Sequence, residues 1–498
     1  MYKTKVMKRQ IEEHRYKPGY RTHTLMLWSL FLLILLLTLF WTRTAAAKVY
    51  SADEDRSLRE ELLRQLNQDK LELNFPVSVK RLYHTANGFP LWLVKEPDVQ
   101  HTWAAMLMMD CVLQFGLNQS DFHPKELLYS KLHDILERPD QVSIGEKAQF
   151  EIYLSDAVLS FAAYLHFGKY NPYLTKEQID NSKSGFDPAE LVKKALHSAD
   201  FMETIASAQP KDQLYKALQD RLHVVAGVQL GDCYEFPEAQ VRKIALNMER
   251  LRWAALDTDN FIQVNIPSYQ LSFFHHGKLD TFRVVIGKPA NPTPTLKSAI
   301  TYFTIAPEWR VPKKIFEREL LPKAIKDTAY LNSHHYMIYN NGGMLISPST
   351  SYLRKIKENP DRYHATQSAG CDNALGQIVF RFANIYDIYL HDSPERELFY
   401  KEKRALSHGC IRVQSAARLA SLIMANDGQS VATMNKALEL GNKKNFRLIK
   451  PLPIAVTYLT CEIKDGAVIT LDDVYGLDPA LDIMLYRKND PALKITQN

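Results

Sequence analysis

The stretch IYLHDSPERELFYKEKRALSHGCIRVQ, residues 388–414, holds the residues on which the reading of this chain turns. Its start completes a β-prone run, Ile385–His391, in which strand alternation sets Asp387, Tyr389 and His391 on one face. Nineteen residues after His391 comes Cys410, within Ser407-His408-Gly409-Cys410. A helix is expected over Ala416–Asn426, with Ser415 as its N-cap and Gly428 as its C′ residue. Cys410 then falls in a loop between strand and helix, where Gly409 permits a tight backbone with exposed amides. A free thiol is mostly protonated at neutral pH, and a neighbouring imidazole can take that proton and lower its pKa. The thiolate would attack a carbonyl, and amides around Gly409–Cys410 would hold the oxyanion. Arg412 would supply a fixed positive charge for a substrate carboxylate. Singly, a buried Cys or a strand His is ordinary packing; the combination is what carries information.

That combination resembles the L,D-transpeptidase catalytic domain of YkuD type, whose signature is a His followed at some distance by S-H-G-C-[IV]-R. Ser407, His408, Gly409, Cys410, Ile411 and Arg412 fit without a mismatch, and His391 takes the upstream position. The segments Asn265–Pro294 and Pro307–Pro322, NMERLRW at 247–253, DNALG at 372–376 and PLPIAVTYLT at 451–460 resemble the long, membrane-anchored YcbB-like branch. The resemblance implies an α+β chain: an N-terminal membrane helix, a helical scaffold, then a mostly β, sandwich-like or open-barrel catalytic domain with a capping insertion.

The resemblance also implies roles. Cys410 would form a thioester with a peptidoglycan stem peptide and expel D-Ala. His391 would be the general base, oriented by the backbone carbonyl of Asp392. Tyr389 and the backbone near Gly409 would line the oxyanion site, with Ser407, His408 and Arg412 shaping the pocket. The acceptor would be the side-chain amine of a neighbouring stem's third residue, and carbapenems would acylate Cys410. No cofactor and no metal are implied. Hydrolysis of the same thioester would instead make an L,D-carboxypeptidase, or an enzyme attaching or releasing wall proteins. A non-catalytic wall-binding scaffold is a third reading, against which the intact His391 and Cys410 argue. Two departures stand out: no GLxxDGxxGxxT-like repeat occurs between 200 and 245, and Gln414 follows the motif where Asn is common.

The rest of the chain fits an exported enzyme. Its 498 residues suggest about three domains. The formal net charge is +6, but residues 1–23 hold seven bases and two acids, leaving +1 for the remainder. A globally basic nucleic-acid binder is thereby excluded. Thr24–Trp41 has no charge and nine leucines, and as a helix would span roughly 27 Å. With the basic tail held inside, this segment reads as a signal anchor of the bacterial inner membrane, the catalytic part lying in the periplasm or cell-wall space. Ala45-Ala46-Ala47 offers the rival of a cleaved signal peptide; the long basic region and apolar run favour the anchor.

The expected order is a tail over 1–23, anchor 24–41, stalk 44–70, helical scaffold 72–258, catalytic domain 259–480 with an irregular cap at 328–375, and a C-terminal tail 481–498. Within the scaffold, Ala157–Phe167 should be a buried helix and Gln240–Leu256 an amphipathic one. Phe261–Ile266, Tyr269–Phe274 and Phe282–Ile286 should be strands, with a turn at His275–Lys278. Late strands are expected around Ile454–Glu462 and Ala467–Leu471. Five cysteines, no two closer than 39 residues, form no CxxC pair. Four of them allow up to two disulfides in an exported compartment. The absence of HExxH, GxxxxGK[ST] and GxGxxG removes support for a metalloprotease or nucleotide binder. The pairs His275-His276 and His334-His335 lack ligand spacing and read as turn or surface residues. Residue 416 is Ala and Gly409 precedes Cys410, which excludes a tyrosine-phosphatase loop.

Overall fold

The computed structural model describes residues 52–68, 70–93, 99–228, 239–256 and 258–487. The basic tail and the apolar run 24–41 lie outside these residues. Among the described residues, no helix is long and apolar enough to cross a membrane.

The helical part is built around Ile144–Phe167, a 24-residue helix begun by a capping box between Ser143 and Glu146. Nearly every residue after its first turn is buried, so its polar side chains must be satisfied internally. Asp156 accepts the backbone amides of Asn74 and Phe75, each at 2.7 Å. Glu151 accepts those of Leu91, Trp92 and Leu93. These buried carboxylates fasten the preceding loops to the central helix. The expected stalk takes a different form: its helix, Ala52–Gln68, buries Leu58, Leu62 and Leu66 in the same core. Three fully buried leucines contribute about 1.5–3 kcal/mol each, which holds the segment against the scaffold.

The helix Ala239–Ala254 joins this core to the β-rich half. Its Asn247 Oδ1 accepts the Thr460 amide at 2.6 Å, so two segments singled out in sequence, 247–253 and 451–460, meet.

The β-rich half opens with β1 (Phe261–Asn265), β2 (Gln270–His275) and β3 (Lys278–Gly287) as an antiparallel meander. The β2–β3 turn places His276 and Gly277 at φ 47° and 72°, as a two-residue hairpin requires. β4 (Leu296–Ile305) follows, then an inserted unit containing β5 (Trp309–Arg310), β6 (Tyr336–Asn340), β7 (Leu345–Ile346) and β8 (Tyr363–Gln367). The chain returns through β9 (Ile378–Phe382), β10 (Leu390–His391), β11 (Ala405–Ser407), β12 (Ile411–Val413) and the 14-residue β13 (Lys444–Thr457). Strands Cys461–Lys464 and Ala467–Thr470 form a separate hairpin.

Nine strands make one sheet in the order β11-β3-β12-β10-β9-β4-β13-β1-β2, and β2 also pairs with β3. That second pairing closes the sheet into a barrel, where a sandwich-like domain or an open barrel was expected. Closure is invisible in strand patterning because it depends on which edges meet. The long β13 explains it: it pairs with β4 through most of its length and with β1 through Ile454–Thr457.

Three further expectations change. The segment 328–375 is no irregular insertion: β5, β8, β6 and β7 form a four-stranded sheet over its own core, with Phe316, Leu321, Leu353 and Ile356 buried. Lys313–Lys326 is interrupted as expected, by a π-helical turn at Phe316–Leu320 just before Pro322, which cannot donate a backbone hydrogen bond. The expected tail continues the fold to residue 487, where Leu481 and Leu485 pack on Leu246.

Candidate active site

β10 has only two residues, where a strand over Ile385–His391 was expected. The Asn384 side chain is the cause. Its Oδ1 accepts the amides of Tyr386 and Ile388, each at 3.1 Å, and its Nδ2 donates to the Ile388 carbonyl at 2.8 Å. Asp387 adopts φ 54° within this turn, so the strand alternation is lost there. Ile385 is left 92% exposed, whereas Ile388 through Asp392 are all buried.

The short strand is nevertheless well placed. It pairs antiparallel with β9, Leu390 opposite Phe380 and His391 opposite Val379, and parallel with β12, His391 opposite Arg412. The Ile411 amide donates to the Tyr389 carbonyl at 3.1 Å, which sets Cys410 beside Tyr389 at the start of β12. Cys410 packs against both the barrel core and the core of the inserted unit, so it lies on the seam between them. The Tyr389 and His391 rings meet edge to face at 5.7 Å. Sequence motif and register therefore gather Tyr389, His391 and Cys410 in one place.

His391 is 5% exposed, and its Nδ1 lies 2.6 Å from the Asp392 carbonyl oxygen. An Nδ1 proton donated to that carbonyl leaves Nε2 as the basic nitrogen. Asp392 is itself held: its carboxylate accepts the Gln377 amide at 3.0 Å and both Arg396 guanidinium nitrogens at 2.7 and 3.1 Å. Gly376 makes room for it. With φ +62°, a Cβ on Gly376 would lie 2.6 Å from the Asp392 carboxyl. Gly376→Ala should therefore destabilise by about 2 kcal/mol or more, from left-handed strain plus the clash. Gly343→Ala, at φ +78° with nothing within 4 Å, should show the strain alone. Equal unfolding free energies for the two variants would contradict the clash.

Burial, reinforced by the charge of Arg412, pushes His391 down to about 3. Burial pushes the Cys410 thiol above its ordinary value, opposed by hydrogen bonds from Tyr389. The expected lowered thiol pKa is thus not what the structure gives. At rest the pair is a neutral thiol and a neutral imidazole, because neither charge is solvated in the seam. Linkage gives a consequence with a definite sign. Between about pH 6.5 and 3 the unfolded chain protonates this residue while the folded chain does not, so stability is lost as pH falls through that window. On going from pH 7 to pH 4, denaturant unfolding should show His391→Gln gaining stability relative to wild type. A difference constant with pH would contradict the depressed pKa.

The Ser-His-Gly-Cys turn is fixed from inside. The buried Ser407 hydroxyl donates to the Cys410 carbonyl at 2.6 Å and accepts the Gly409 amide at 3.1 Å. The Gly409 amide, expected in the oxyanion site, is thereby committed to Ser407. Gly409 sits at φ +119°, which only glycine adopts readily. His408 pairs through Nε2 with Glu319 of the inserted unit at 2.6 Å. Arg412 is ion-paired with Glu395, so it is not the free cation expected for a substrate carboxylate. Ser415 takes φ 54° without capping the helix Ala416–Asn426, whereas Gly428 ends it in the left-handed conformation as expected.

Residues that sequence reasoning did not mark complete the site. The Thr293 hydroxyl accepts the Gly287 amide at 2.9 Å and donates to the Gly409 carbonyl at 2.7 Å. Tyr475 donates to the Gly287 carbonyl at 2.7 Å and accepts the Thr293 amide at 3.1 Å. A threonine inside the proline-rich loop 289–294 was the available signal. The Trp309 side chain hydrogen-bonds Tyr389 from the inserted unit, and Arg381 lies over the Tyr389 ring at 4.8 Å.

Among the described residues, Cys111, Cys371, Cys410 and Cys461 form no disulfide, and Cys233 lies outside them. The described residues hold no group of three His, Cys, Asp or Glu side chains able to bind a metal. His275 pairs with Asp280 and His335 with Asp372.

Residues 259–433 match the YkuD family, described as the L,D-transpeptidase catalytic domain, and residues 77–222 match a family described as a scaffold domain. A Haemophilus influenzae protein named "Putative L,D-transpeptidase" is 27% identical over 446 residues, spanning 87% of this chain and 85% of that protein. The structure of the Ldtfm-avibactam carbamoyl enzyme is 13% identical, with 41% of this chain and 51% of that chain covered and a TM-score of 0.19, a likeness that bears no weight here. The scaffold match falls on the helices around Ile144–Phe167, and the YkuD match takes in β1 to β12 with Cys410 at the seam. The chain carries an L,D-transpeptidase catalytic domain of the YkuD family, preceded by a scaffold domain.

Proposed function

We propose that this enzyme crosslinks peptidoglycan by joining the third residues of neighbouring stem peptides, with Cys410 as nucleophile and His391 as base. The observation that carries the reading is the seam position of Cys410 beside Tyr389, with His391 on the next strand and its Nδ1 held by the Asp392 carbonyl. Because both partners are neutral at rest, the His391 Nε2 takes the thiol proton as sulfur attacks the third residue's carbonyl. The Sγ–C bond forms, the bond to the terminal D-Ala breaks, and the proton passes from His391 to the leaving amine. In the second half, the acceptor amine gives a proton to His391, attacks the thioester and returns Cys410 to the thiol. The tetrahedral oxyanion would be met by the Tyr389 hydroxyl and the Cys410 amide, since the Gly409 amide is occupied by Ser407. Ser407 and Thr293 act as positioning residues for the nucleophile's turn, and His408 links that turn to the inserted unit.

In the same reading, the unit built on 328–375 caps the cleft over Cys410, and the helical part is a scaffold at the wall. Residues 24–41 anchor the chain in the bacterial inner membrane, the basic residues 1–23 stay in the cytoplasm, and the catalytic part works in the periplasm. The experiment is incubation of the full-length, detergent-solubilised protein with disaccharide-tetrapeptides, followed by mass spectrometry. Dimers accompanied by D-Ala release are expected. Tripeptides without dimers would make the enzyme an L,D-carboxypeptidase, and no change in the substrate would defeat both readings.

A further inference from the structure

The positive charge beside the nucleophile is not the one the sequence suggests. Arg412 is ion-paired with Glu395. Arg381, which no motif marks, sits in β9 with the parity of Val379, whose side chain packs into the inserted unit's core. Ile378, Phe380 and Phe382 point the other way, into the barrel. Arg381 therefore projects from the barrel's outer face, towards the side that the inserted unit occupies. The pairing of Leu390 with Phe380 sets it at the level of Tyr389, and its guanidinium lies 4.8 Å from that ring's centroid. Among the described residues it forms no ion pair. Asp387, whose charge also bears on Cys410, is exposed and forms no ion pair with Arg381. A half-buried guanidinium with no carboxylate partner, next to the reacting thiol, is a site waiting for an anion.

We propose that Arg381 binds the terminal carboxylate of the donor stem peptide, the carboxylate of the D-residue that leaves, and so reads how far the donor extends past the scissile bond. This rests on the reading of Cys410 as the nucleophile. Attack on the third residue's carbonyl puts the leaving residue's carboxylate only three bonds from the reacting carbon, within the reach of a side chain that already stacks on Tyr389. A charge-assisted, geometrically fixed contact discriminates strongly against a neutral analogue, because the guanidinium would then be left unpaired.

The test compares a tetrapeptide donor with its C-terminal amide, in full-length wild type, Arg381→Gln and Arg381→Lys. Wild type should prefer the free acid in kcat/KM by about 10- to 100-fold. Arg381→Gln should lose more rate on the acid than on the amide, bringing the preference to within about threefold. Arg381→Lys should keep part of it. A wild-type preference retained in Arg381→Gln overturns the proposal. The same ratio is read by calorimetric binding of acid and amide to Cys410→Ala and to Cys410→Ala with Arg381→Gln. That arm reports even where a variant is too slow to assay. Failure of wild type to turn over either donor would instead count against the crosslinking reading, while the binding ratio would still judge Arg381.

Discussion

Cys410→Ala should form neither crosslinked dimers nor tripeptides from disaccharide-tetrapeptides, a loss on the order of 10⁴-fold or more in kcat. The size of the loss follows from covalent catalysis: no other thiol or hydroxyl occupies the position that the Ser407 and Thr293 hydrogen bonds give to this turn. Folding should survive, because Cys410 is only half-buried and its removal leaves the hydrogen bonds to its carbonyl and to Gly409 intact. Thermal unfolding within a few degrees of wild type should accompany the loss. Residual activity within tenfold of wild type would show that the nucleophile lies elsewhere.

His391→Ala should cost about 10²- to 10⁴-fold in kcat, the usual worth of a positioned general base. The pH profile distinguishes a neutral pair from an ion pair. Burial and Arg412 hold His391 down to about 3, and burial raises the Cys410 thiol. The imidazole is therefore already unprotonated at pH 5, and kcat/KM in wild type should show no acid limb near the ordinary histidine value of about 6.5. Acylation by the donor should hold at its neutral-pH rate as pH falls to 5. A bell with its acid limb centred near 6.5 would mean that the base titrates as an exposed histidine and that the seam is wet.

Which residues meet at the site was more legible than the architecture around them, for a physical reason. Cys410, His391 and the glycine that opens the turn sit within 20 residues of one another, so residue type and spacing alone single them out. The hydrogen bond from His391 to the Asp392 carbonyl is likewise local. What escaped depends on contacts between distant segments. Thr293 reaches Gly409 across 116 positions, Glu319 reaches His408 across 89, and the barrel closes only because β2 meets β3 as well as β1. The strand expected at Ile385–His391 failed because one side chain, Asn384, offers the backbone a turn that alternation cannot foresee. The inserted unit read as irregular because its elements are short and tyrosine-rich; its core forms only when Trp309, Phe316 and Leu353 come together. Arg412 shows the converse error. Its motif position was right, yet its charge is engaged by Glu395, while the free guanidinium belongs to Arg381 in an unremarkable strand.

The most direct measurement is the intact mass of the full-length enzyme after mixing with a tetrapeptide donor and no acceptor, followed by peptide mapping under acidic conditions that preserve thioesters. The account predicts an adduct equal to the donor less D-Ala, carried on the peptide containing Cys410 and absent from Cys410→Ala. Turnover with no adduct on Cys410, or an adduct that persists in Cys410→Ala, would contradict it.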